Sequence, residues 1–162
     1  MEKYEIARDT AIKRIKVADH ILTMTYPLVQ DPKLLKVVMK NMFLALQNAI
    51  LMLLYYERLY KRIPPFPENF DSLMPYLKKV LTKYNISTGY IGFINEIREI
   101  MQKQKESQVE FIRKDKFVFA SHDYELSVMT NKELKDYIAK TKLFMQQATK
   151  VVEENERIIG KR

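Results

Sequence analysis

Two histidines and a surplus of lysine and arginine are the side chains in this sequence whose type and spacing could do chemistry. Lys13, Lys16 and His20 fall at i, i+3 and i+7, so on a helix they share one face. Lys33, Lys36 and Lys40 form a second basic set in the next segment. Further on, the cations Arg113, Lys114 and Lys116 precede His122-Asp123-Tyr124. Each of these sets could hold an anion. Other chemistries lack their parts. The absence of cysteine excludes a disulfide framework, a thiolate metal site and a cysteine nucleophile. Neither histidine has a glutamate three residues before it, so the pairs of a carboxylate-bridged di-metal site are missing. Phosphate-binding glycine loops and nucleophile elbows are likewise absent. No metal and no cofactor is expected.

The formal net charge is +8, and its distribution is uneven. Residues 1–63 carry 11 Lys/Arg against 6 Asp/Glu, residues 64–129 carry 9 against 9, and residues 130–162 carry 8 against 5. The basic excess therefore sits in the two ends of the chain. It favours anionic partners such as RNA or DNA, and it also suits plain solubility. At 162 residues with only three glycines, the sequence predicts a single domain over 1–162 with no flexible linker. The charged N-terminal stretch has no apolar signal region, which points to an intracellular, cytoplasmic protein.

These residues must be positioned by helices. The organising one runs over about Lys33 to Ile63, apolar on nearly every side, with Asp31 as N-cap, Pro32 at the first helical position and Pro64-Pro65 as the stop. Such a post is on the order of 46 Å long. Lys36, Lys40, Asn41, Gln47 and Asn48 interrupt it and leave only Ala49 to Tyr56 unbroken, too short for a membrane span. We expect a core helix and no membrane association.

An amphipathic helix over Lys3–Thr25 precedes the post, ended by Tyr26 and Pro27, with Tyr4, Ala7, Ala11, Ile15, Ala18 and Leu22 on its apolar stripe. After the prolines, Asp71 or Ser72 can cap a short third helix, with Pro75 tolerated in its first turn. A fourth helix is read over Gly89–Glu106. Alternating apolar and polar residues predict a β-hairpin near 116–129. The last helix starts at a Thr130/Glu133 capping box and closes at Gly160. The fold class is thus all-α: an up-and-down bundle of four to five helices around a long central helix, with a small β-hairpin.

The order of the cationic cluster, His122-Asp123-Tyr124 and a capped terminal helix resembles the HEPN-domain superfamily. That resemblance implies a helical bundle, commonly dimeric, associated with RNA or nucleotides. In active members an Arg and a His four to six residues apart cleave RNA. Carried over, these are Arg113, which would hold a phosphate, and His122, which would assist proton transfer. Here eight residues separate the two, and they read as strand.

The resulting expectation is a HEPN-like module that binds nucleic acid, or a nucleotide-bearing partner, through Lys13, Lys16, His20, Lys33, Lys36, Lys40, Lys114 and Lys116, without catalysis of its own. One alternative is a helical homodimer or partner-docking protein, with the post and the last helix as interface and Asn41 and Asn48 setting its register. Another is a metal-independent ribonuclease using Arg113 and His122. The plainer readings are a solvated lysine face, a polar stripe where the post meets water, and a hairpin-turn histidine.

Overall fold

The structure, a computed structural model, describes residues 1–107, 109–113, 116–120 and 126–160. It is all-α with a small antiparallel sheet. The elements are α1 (Lys3–His20), a π-helical turn (Ile21–Thr25), α2 (Tyr26–Val29), α3 (Pro32–Leu59), α4 (Phe70–Lys83), α5 (Gly89–Glu106), strands β1 (Val109–Arg113), β2 (Lys116–Ala120) and β3 (Leu126–Thr130), and α6 (Asn131–Ile159).

Helix α3 is the expected post. The Asp31 carboxylate accepts the Lys33 backbone N–H at 3.0 Å, and Pro32 loses nothing at a position whose N–H has no helical partner. Met39, Leu46, Ile50, Leu53 and Leu54 are fully buried. By length and composition α3 could cross a membrane, yet most of its most apolar stretch is covered by its neighbours. It ends at Leu59, four residues before the expected boundary. Lys61 takes a left-handed conformation (φ 56°), which folds Arg62 back to 3.5 Å from Glu57 before the diproline is reached.

The first helix, in contrast, does not end at Pro27. The chain stays helical to Val29 by widening one turn: the Tyr26 N–H bonds to the Ile21 carbonyl, five residues back. The wider turn relieves the clash a proline ring makes with the carbonyl four residues earlier. Reversal follows at Gln30, in the left-handed region at φ 52°. Asn69, ahead of the two expected caps, begins α4 by accepting the Ser72 N–H at 3.0 Å. Pro75 therefore lies in the second turn rather than the first, with its ring on the exposed side.

Three contacts fix the packing of α1. Arg14 donates to the Asn41 side-chain oxygen at 3.1 Å, Lys142 meets Asp19 at 2.6 Å, and the Tyr4 hydroxyl donates to Glu156 at 3.0 Å. Both α3 and α6 consequently run antiparallel to α1. Asn41 also donates to the Val37 carbonyl and Asn48 to the Leu44 carbonyl, each at 2.8 Å, so these asparagines are engaged within the chain. The sheet, in order β1-β2-β3, contains the expected hairpin and adds one strand before it. Phe117, Phe119 and Met129 turn one sheet face into the core, while Leu126 and Val128 stay exposed. Thr130 caps α6 by accepting the Glu133 N–H at 3.0 Å. The post and the seam of α6 (Leu134, Ile138, Thr141, Ala148, Val152) are both buried in this core.

Leu46→Ala is expected to cost about 2–5 kcal/mol in urea unfolding, from lost burial plus cavity. Leu28→Ala, on an 87% exposed side chain, should stay within about 0.5 kcal/mol.

Candidate nucleic-acid interface

Two of the predicted basic residues are brought to a shared groove. The first turns of α3 present Lys36, Lys40, Phe43 and Leu44, at spacings of four, three and one, which a helix places on one side. Facing them, the end of α5 presents Arg98, Met101, Gln104 and Lys105. Between them lies an open groove of about 640 Å³, within the range of small-ligand sites. Four cations line it over a floor of Phe43, Leu44 and Met101, and among the described lining residues there is no carboxylate.

Each wall is held in place. Arg98 makes a two-pronged pair with Asp71, at 2.6 and 2.9 Å, and stacks over the Phe70 ring at 5.1 Å. Phe70 packs on Phe43 with ring centroids 5.4 Å apart. An exposed pair of this kind adds little stability, but it fixes where the guanidinium points. Gln104 is 5% exposed, and its Nε2 makes no hydrogen bond. A buried donor left unpaired costs about 1–3 kcal/mol.

The other predicted residues are more scattered. Lys13, Lys16 and His20 are exposed on α1, and Lys16 borders a separate depression against Met145 and Lys142 of α6. Lys33 is exposed in the first turn of α3. Arg113 and Lys116 are exposed cross-strand partners at the β1–β2 end of the sheet. Lys114 and His122 lie outside the described residues, so the Arg113–His122 pairing is not placed. Arg98, Gln104 and Lys105 were absent from the sequence reading. Arg98, Met101 and Lys105 do repeat at i, i+3 and i+7, a signal that one face of α5 mixes cations with apolar surface.

At the opposite end of α3 lies a second polar cluster. Glu57 is 1% exposed and accepts from Lys83 at 3.0 Å, from Arg62 at 3.5 Å and from the Tyr84 hydroxyl. Burial, followed by the bond to Glu57, raises the Tyr84 pKa. With both oxygens engaged, this carboxylate closes the bundle end rather than offering an open ligand position. Beside it the Tyr56 hydroxyl is buried with no hydrogen bond, between the rings of Tyr4 and Tyr60. Burial pushes its pKa up to about 12.

Comparison of the chain with protein-family models, with curated proteins and with solved structures finds no match.

The unfolded phenol titrates near about 10. Between that value and about 12 the folded state holds the Tyr56 proton more tightly, so stability falls as pH rises through this window. Tyr56→Phe should flatten that fall in urea melts, since it removes the phenol that titrates there.

Proposed function

We propose that this chain is a HEPN-like helical module that binds nucleic acid through the α3/α5 groove. The observation that carries this reading is the convergence of Lys36 and Lys40 with Arg98 and Lys105 over an apolar floor, with no carboxylate among the described lining residues. Phosphate oxygens suit the lysines of the rim, which carry point charges beside an Arg98 whose fork is held by Asp71. Bases suit the floor, because a ring face can lie on Phe43 and Met101. A ligand acceptor reaching Gln104 would satisfy the amide that the protein leaves unpaired.

Among the described lining residues the groove has cations and apolar side chains but no histidine, a lining that favours binding over bond cleavage. The side chains that the homodimer alternative would use, those of the post and the α6 seam, are already buried in this chain's own core, which favours binding through the groove.

Fluorescence anisotropy with a single-stranded RNA oligonucleotide tests the assignment. Binding is expected at low salt, weakening linearly in log Kd against log salt. Lys40→Glu with Lys105→Glu should weaken it by at least tenfold and make the salt slope shallower, with the melting temperature nearly unchanged because both side chains are exposed. An affinity indifferent to these two substitutions would refute the groove.

A further inference from the structure

We propose that the tip of the α1–α3 hairpin inserts into an anionic lipid surface. The π turn and α2 end the hairpin in an apolar knob. Met24, Leu28 and Val29 are 60, 87 and 60% exposed, Pro27 is exposed beside them, and Tyr26 beneath is buried and anchors the turn. Elsewhere on α1 and α3 the exposed large apolar side chains, Ile6, Ile12, Val37 and Leu59, stand singly and are less exposed, whereas three together at one tip need a reason.

Cations stand behind the knob. The Arg14–Asn41 hydrogen bond sets Lys13, Arg14 and Lys16 level with the third turn of α3, beside Lys40. Lys33, Lys36 and His20 are exposed nearer the tip. Between residues 11 and 43 there are six Lys/Arg and two aspartates, with no glutamate. Both aspartates are occupied, Asp19 by Lys142 and Asp31 by the α3 cap. Lys40 lies only about 12 Å along the axis from the start of α3, on the order of one screening length from the tip.

The shape selects the occupant. A stable protein interface, whether with a second copy or another chain, buries roughly 1,200 Å² or more between complementary surfaces. The knob offers three exposed apolar side chains, Met24, Leu28 and Val29, a small anchor for its half of such an interface. A bilayer requires no matching pocket: it takes apolar side chains singly at the headgroup boundary while acidic headgroups attract the cations behind them. The groove between α3 and α5 shares Lys36 and Lys40 with this surface but none of the knob's apolar residues, so this inference does not rest on nucleic-acid binding and substitutions at Leu28 and Val29 leave the groove untouched.

Vesicle flotation decides it, using the full chain with phosphatidylcholine vesicles with and without phosphatidylglycerol. Binding is expected only with the anionic lipid and should decline with salt. Leu28→Glu with Val29→Glu should weaken it by roughly tenfold or more, because a carboxylate resists the apolar boundary and repels acidic headgroups. Both side chains are exposed, so an unchanged thermal melt keeps the comparison valid. Absence of binding to the anionic vesicles overturns the proposal. So does binding that the double substitution leaves intact, which would be adsorption by charge alone. Light scattering that shows a dimer dissolved by the same substitution would instead assign the knob to a second copy, and overturns it equally.

Discussion

A helix that is apolar on almost every side has to be covered on almost every side, and the rest of this fold answers to that demand. Helix α3 exposes a narrow strip, from Lys33 through Lys36, Val37 and Lys40, past the half-buried Gln47 and Asn48, to Leu59 at its end. At roughly 25 cal/mol per Å² of apolar surface withdrawn from water, leaving any other strip open would be a large fraction of a typical domain's net stability. Helices α1, α4, α5 and α6 all contact α3, and the sheet adds two phenylalanines to the same core. The groove forms where the first half of that strip meets α5.

Antiparallel packing then sorts the charge. Because α1 and α6 both run against each other, and α3 against α1, the basic turns of α1 and α3 gather at one end of the bundle, joined by the end of α5. Glu57, Glu68 and Glu156 gather at the other end, bonded to Tyr84, Tyr55 and Tyr4. Each of those carboxylates has a hydroxyl or cationic donor in contact, which disposes of the negative charge internally. At the opposite end Arg98 pairs with Asp71 and Lys142 with Asp19, but six Lys/Arg against two aspartates between residues 11 and 43 leave an excess of positive charge there.

Periodicity and caps made most of the helical frame legible. Asp31-Pro32, Thr130 with Glu133, and the bounds Gly89–Glu106 all follow from local rules that tertiary packing did not override. Proline was the misleading residue. Pro27 reads as a stop, but a widened turn carries the helix past it; Pro75 reads as a first-turn residue, but Asn69 starts that helix earlier. In both cases the backbone had an alternative that depends on neighbours several residues away. The candidate site was only half legible for a related reason. Lys36 and Lys40 stand out within α3, whereas Arg98, Gln104 and Lys105 acquire meaning only once α5 is known to lie alongside it, a pairing no local pattern encodes.

The same central helix has a consequence for biosynthesis. Its main early partner, α1, precedes it in the chain, so the hairpin can close as soon as Leu59 is free of the ribosome. The covering supplied by α6 comes about 100 residues later, a delay of roughly 5–20 s at ordinary elongation rates. Throughout that interval the nascent hairpin carries an uncovered hydrophobic flank bearing Met and Leu side chains, the kind of surface that holding chaperones engage.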